Sequence, residues 1–129
     1  TGLWDDATLG REVALQGAWF AAPDPKLRRD FERNYRNTYG GEPPRIATLA
    51  YDATALSAIL AQSAAGLSED EVYTRSRLTS SRGYAGIDGI FRFRPDGLIE
   101  RGLAVQEITR TGTRVIDPAP TAFVSGQKS

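Results

Sequence analysis

The stretch IATLAYDATALSAILAQSAAGLS, residues 46–68, carries a single charged residue, Asp52. Ala47, Leu49, Ala50, Ala53, Leu56, Ile59, Leu60 and Ala64 set apolar groups nearly all round a helix of about 3.6 residues per turn. A helix of that kind is buried inside a domain or crosses a membrane. Thr48, Asp52, Thr54, Ser57, Gln62 and Ser63 interrupt the run, and alanine contributes little transfer energy, so a membrane crossing is rejected. The segment reads as a central core helix with close neighbours. Asp52, ionised there, needs a hydrogen-bonded partner. A backbone or arginine partner that fixes packing is preferred to a hinge role or a contact with a polar ligand.

Upstream, Asp24 is a good N-cap, Pro25 suits the first helical position, and Gly40-Gly41 ends a second helix. Leu27, Phe31, Tyr35 and Tyr39 recur at spacing four, while Lys26, Arg28, Arg29, Asp30, Glu32, Arg33 and Arg36 cover much of the remainder. This is a surface helix laid on a core. Its arginines are read as a solvated outer face rather than a phosphate site. Before it, Asp5-Asp6-Ala7-Thr8-Leu9 starts a helical turn, and Ala18-Trp19-Phe20-Ala21 reads as a short buried strand stopped at Pro23. Glu42-Pro43-Pro44 is a rigid connector.

Downstream, Ser68-Glu69-Asp70-Glu71 is a capping box opening a short helix to about Thr79, with Val72 and Leu78 inward and Arg75 and Arg77 near its end. Gly83, Gly86 and Gly89 punctuate a loop. Ile90-Phe91-Arg92-Phe93-Arg94 alternates like a half-buried strand, and Pro95-Asp96-Gly97 is a turn. Gly102 to Thr109 reads as another strand, and Arg110-Thr111-Gly112-Thr113 turns the chain into Arg114–Asp117, completing an antiparallel hairpin that Pro118 and Pro120 end. Residues 125–129 read as a frayed tail.

Composition narrows the chemistry. Apolar residues make up 40% and charged residues 25% of the 129-residue chain, within the globular range. Sixteen basic residues balance sixteen acidic ones, so the basic excess of a nucleic-acid binder is missing and nucleic acid is not an expected partner. Without Cys there is no disulfide, thiolate nucleophile or Cys-ligated metal, and without His no imidazole base or His metal site. No Ser-x-x-Lys, Gly-x-Ser-x-Gly or His-Glu-x-x-His pattern occurs. No catalytic residue, metal or cofactor is expected, and the chain is read as a non-enzyme. It has no Met, and Thr1-Gly2-Leu3-Trp4 opens without a basic flank or apolar core, so it is expected to begin after processing or to be an internal piece.

Two clusters invite a functional reading. Gly83-Tyr84-Ala85-Gly86-Ile87-Asp88-Gly89 is rich in glycine, which lets bare N–H groups approach phosphate. A P-loop or Rossmann turn needs a helix after it, and here a strand follows, so a tight helix-to-strand crossover is preferred. Trp4-Asp5-Asp6 sets an amphipathic aromatic beside two carboxylates. Adjacent strand residues face opposite ways and make a poor acid–base pair. An aromatic wall with an acid for an ammonium group and a plain helix N-cap are equally good readings.

The ordered set Gly17-Ala18-Trp19-Phe20, Phe31 through Tyr39-Gly40, Pro43, Ala50-Tyr51-Asp52-Ala53, Gly86 to Gly89, Phe91-Arg92-Phe93 with Asp96-Gly97 and the closing hairpin resembles the type I periplasmic solute-binding proteins of the leucine/isoleucine/valine-binding kind. The resemblance covers nearly the whole chain and about the C-terminal third of a family member. It implies an α/β fold, part of a bilobed clamshell of layered α/β/α lobes, with helices in the middle and a β-hairpin at the C-terminal end. Residues 1–22 are then a second-lobe segment, 23–101 a mainly helical first-lobe segment, 102–124 strands crossing back, and 125–129 a tail. The implied function is that of a bacterial periplasmic or envelope receptor of the amino-acid ABC-transporter type, closing a hinge on a small polar ligand. The missing N-terminal portion and a membrane transporter are its implied partners. The implied second-lobe ligand contacts are Trp4, Asp5 and Asp6, Trp4 falling where the family has an acid for the ligand's ammonium. Gly86 to Phe93 with Arg101-Gly102-Leu103-Ala104-Val105 is also similar to penicillin-binding-protein activator lipoproteins of the same fold, whose partner is a peptidoglycan synthase.

Overall fold

The computed structural model describes residues 7–123. Two short 3₁₀ turns, Ala7–Arg11 and Val13–Leu15, lead into strand β1, Trp19–Ala22. Helices α1, Pro25–Tyr39, α2, Ala47–Gln62, α3, Glu69–Val72, and α4, Arg75–Leu78, follow. Strands β2, Tyr84–Gly86, β3, Gly89–Phe93, β4, Ile99–Arg101, β5, Ala104–Thr109, and β6, Gly112–Asp117, complete the order. The strands form two antiparallel sheets, one ordered β1-β5-β6 and the other β2-β3-β4.

Helix α1 begins and ends where its sequence dictates. The Asp24 carboxylate accepts from the Lys26 N–H at 2.9 Å, Pro25 opens the helix, and Gly40 closes it at φ 75°, a left-handed conformation that costs glycine little. Its apolar stripe, however, is not laid on a core: no residue of α1 is buried. The stripe packs on itself and on α2, with Phe31 edge-on to Tyr51 at 5.5 Å between ring centres.

Helix α2 is the structural axis, but only one face of it is covered. Thr48, Asp52, Leu56 and Leu60, each four residues apart, are buried, while Leu49, Tyr51 and Ile59 remain substantially exposed. The expected all-round burial is therefore corrected to a single covered stripe. The near-uniform apolarity of the helix leaves its other faces bare. Leu56 and Leu60 join Phe91 of β3 in a core that Val72, Leu78, Tyr84 and Phe93 close from the sides. Among the described residues no helix is long and apolar enough to cross a membrane.

Three further expectations are revised. The single helix expected from Ser68 to Thr79 is broken at Tyr73-Thr74 into α3 and α4. Arg77 explains the break. Its guanidinium donates to Val72 O at 3.0 Å, Leu60 O at 2.9 Å and Ser63 Oγ at 2.6 Å, so it serves the C-terminal end of α2 rather than its own helix. The glycine-rich segment 83–89 is not a loop: β2 and β3 pair as a hairpin over the two-residue turn Ile87-Asp88. The strand expected from Gly102 starts at Ala104, and β4 before it pairs with β3. On β1, Trp19 is 70% exposed and only Ala22 is buried, so that strand is half-buried.

The capping box forms. The Glu71 carboxylate accepts from the Ser68 N–H at 2.9 Å and from its hydroxyl at 2.8 Å. The backbone bond first and the hydroxyl bond second hold the Glu71 carboxyl below its usual range. A carboxylate whose pKa is lowered by folding stabilises the fold above its unfolded value, and that contribution is lost as pH falls through the folded one. In an NMR titration Glu71 is expected to ionise below ordinary glutamates, and Ser68→Ala to bring it part of the way back. A titration unchanged by Ser68→Ala contradicts the hydroxyl contribution.

Candidate site at the junction of the two sheets

The chain passes twice between its two sheets, and the passages lie side by side. Leaving β1 it enters the helices at Pro23, and leaving β4 it enters β5 through Gly102-Leu103. Because β1 and β5 pair in antiparallel register with Ala22 opposite Ala104, both passages start from one point of the sheet. Gly102 is needed there: a Cβ would stand 2.7 Å from Ile90 Cγ1 and 2.9 Å from Pro120 Cγ. The Gly102 N–H donates to Ile90 O at 2.8 Å, tying the passage to β3.

Buried polar groups cluster beside this junction. Asp52, 4% exposed, accepts from the Ile87 N–H at 2.7 Å and the Asp88 N–H at 3.4 Å, gripping the β2–β3 turn. This is the packing role expected of it, with backbone as partner. Asp88, 2% exposed, accepts from Thr48 Oγ1 at 2.8 Å through Oδ2, and Arg45 Nη1 stands 3.5 Å from the same oxygen. Its other oxygen, Oδ1, is buried without a hydrogen-bond partner, as is Arg101 Nη1. A buried glutamine lies nearby on β5, where Gln106 donates to Pro23 O at 3.1 Å.

Two concavities adjoin these groups. One, about 370 Å³, sits at the junction and is lined by Ala22, Arg45, Leu49, Asp88, Arg101 and Leu103 among others. The other, about 800 Å³, is an apolar groove between α1 and α2, walled by Phe31, Tyr35, Tyr39 and Tyr51 and floored by Asp52 and Gly86. The residues singled out from the sequence as ligand contacts, Trp4, Asp5 and Asp6, lie outside the described residues. Asp88 and Arg101 escaped notice as site residues. In the sequence Asp88 stands among glycines that read as a loop, and Arg101 is one arginine among many. Only the hairpin register brings the turn and the end of β4 to one pocket.

No protein-family model matches the chain. No curated protein sequence matches it either. Two solved structures are similar. One, from Rhodospirillum rubrum, is assigned as a branched-chain amino acid ABC transporter: the TM-score is 0.67 and the identity 23%, over 81% of this chain and 32% of that one. The other is a leucine-binding protein from Thermotoga maritima, with a TM-score of 0.52 and 20% identity, over 81% of this chain and 31% of that one. The fold is part of a type I periplasmic-binding-protein fold. The chain spans about a third of the length of the structures it matches. The helices in the middle and the closing β5–β6 hairpin stand in the order expected of the type I fold. Within the described residues that fold is represented by two small antiparallel sheets with helices on one of them.

Proposed function

We propose that the chain is the C-terminal portion of an extracytoplasmic, periplasmic solute-binding protein of the amino-acid ABC-transporter type, which closes two lobes on a small polar ligand without transforming it. The observation that carries this reading is the pair of adjacent passages at Pro23 and Leu103, where Ala22 lies opposite Ala104. Two units joined at one edge by neighbouring strands can rotate about that edge with little repacking, which is the geometry of a hinge. Residues 1–22 and 102–124 then belong to one lobe and 23–101 to the other, a division supported by β1, β5 and β6 sharing a sheet apart from β2, β3 and β4. The bare faces of α2 support a further portion of the protein packing on them. A ligand touching both lobes stabilises the closed state by its differential affinity. A membrane transporter is the partner that such a receptor serves.

The test is a thermal shift of the native protein against small polar solutes, amino acids among them. Saturable stabilisation is expected. No shift with any solute, together with capture of a peptidoglycan synthase, would replace this reading by the activator-lipoprotein one. Trp4, with Asp5 and Asp6 beside it, is the aromatic anchor in this proposal. Trp4→Ala is expected to weaken ligand binding by about 2–4 kcal/mol in calorimetry, and an unchanged affinity removes Trp4 from the site.

A further inference from the structure

After β6 the chain turns back toward the other sheet without forming a further strand. Strand β6 ends at Asp117, and residues 118–123 are neither helix nor strand. By chain order they belong with β5 and β6, yet what they touch lies on the β2-β3-β4 side of the junction. Pro120 sits on Gly102, where a Cβ would stand 2.9 Å from Pro120 Cγ and 3.2 Å from Pro120 O. Phe123 sits on Gly83, just before β2, where a Cβ would stand 2.7 Å from Phe123 Cε2 and 3.0 Å from Cδ2. The Phe123 ring thus fills the place that a side chain at position 83 would need.

Arg92 closes the other side of this seat, its guanidinium carbon 4.4 Å from the centre of the Phe123 ring. The guanidinium is itself held: Nε donates to Glu100 Oε2 at 2.8 Å and Nη1 to Ser81 O at 3.0 Å. Successive strand residues face opposite ways, so with Phe91 packed on α2, Arg92 is on the far face of β3. Helix α2 therefore covers one face of this sheet and Phe123 lies on the other. Six residues, 118–123, reach at most about 20 Å even when fully extended. Pro118 and Pro120 each fix one backbone angle within them. The link from β6 to Phe123 is short and stiff, and a rotation about the passages at Pro23 and Leu103 would draw on it.

We propose that residues 118–123 are a strap that latches the two sheets in one arrangement. Changing the angle between them requires Phe123 to leave its seat between Gly83 and Arg92. The inference rests on the reading of the junction as the hinge of a solute receptor. It adds a regulating element to that hinge, because a ligand that favours another arrangement must also release Phe123, and its apparent affinity falls by that factor.

The experiment measures the distance between the sheets by double electron–electron resonance in the native protein. Spin labels are placed on Asn37→Cys of α1 and Thr113→Cys of β6, both exposed positions in a chain with no Cys of its own. With the strap intact, one narrow distance is expected. Phe123→Ala removes a half-buried ring and its cation–π contact, and should raise the displaced population at least about tenfold, to about a tenth of the molecules or more. Inserting Gly-Ser-Gly after Thr121 lengthens the strap and leaves the seat intact. It should add the same second distance with no change in the denaturation midpoint, which a purely structural role of Phe123 does not predict. If Phe123→Ala does not fold, the insertion decides alone. A single unchanged distance in either folded variant overturns the proposal, as do two comparable distances in the protein with an intact strap. Unchanged distances in a protein that solutes stabilise overturn the strap and leave the solute-binding reading standing. A second distance on release of Phe123, in a protein that no solute stabilises, overturns that reading and leaves the strap standing.

Discussion

Phe91→Ala is expected to destabilise the protein by about 3–5 kcal/mol, the range for emptying a buried aromatic site. Phe91 is 3% exposed at the centre of β3 and forms the core with Leu56 and Leu60 of α2. Tyr84 and Phe93 approach it with ring centres at 5.8 and 6.0 Å, so the ring supports both neighbouring aromatics as well as the helix. Arg101 lies over the same ring at 5.1 Å, and truncation would free it to move. Two measurements check this. Chemical denaturation of the native protein should show the loss of stability, and Phe91→Leu, which keeps most of the volume, should recover more than half of it. A loss below about 1 kcal/mol for Phe91→Ala would mean that this cluster is not a core. It would then be a surface patch whose real cover lies elsewhere.

How much of this was legible in the sequence depends on the range of the interaction. Local rules carried α1: Asp24, Pro25 and Gly40 act within a turn of the helix ends and do so in the structure. The β5–β6 hairpin was legible for the same reason, since Gly112 follows Arg110-Thr111 and takes a φ of 129°, which glycine adopts readily, and Pro118 ends the second strand. The helix break at Tyr73 was not, because Arg77 is recruited by carbonyls at Leu60 and Val72, and no periodicity reports that. Segment 83–89 misled for a related reason. Its glycines look like loop punctuation, whereas Gly86 lies in a strand, paired with Gly89, and is glycine because Asp52 fills the space a Cβ would take. The burial of α2 was overread, since an apolar helix shows what it would tolerate and its neighbours decide what is covered. As for the site, the junction pocket joins Arg45, Asp88 and Arg101 from three distant segments, a coincidence of topology rather than of motif.

The second large effect is expected at Gly86, where the sequence-distant grip of Asp52 on the hairpin can be tested by a double-mutant cycle. A Cβ built on Gly86 would stand 2.4 Å from Asp52 Oδ2 and 2.7 Å from Cγ, closer than real atoms approach. Neither side can yield easily. Asp52 is buried on a helix and holds the Ile87 N–H at 2.7 Å, while Gly86 is fixed by pairing with Gly89. Gly86→Ala therefore pushes the carboxylate off its donors, adding overpacking to the loss of a charged hydrogen bond, about 3–5 kcal/mol together. Asp52→Ala alone should cost about 2–3 kcal/mol, since it leaves the hairpin amides unpaired. With the carboxylate gone, however, the alanine methyl at position 86 no longer meets it, and adding Gly86→Ala to Asp52→Ala should cost less than about 1 kcal/mol. The cycle should thus show a coupling of about 2 kcal/mol or more, well beyond the few tenths found between independent sites. Simple additivity in denaturation would show that the two residues do not share this space. The turn that presents Asp88 to the junction would then be held by something other than Asp52.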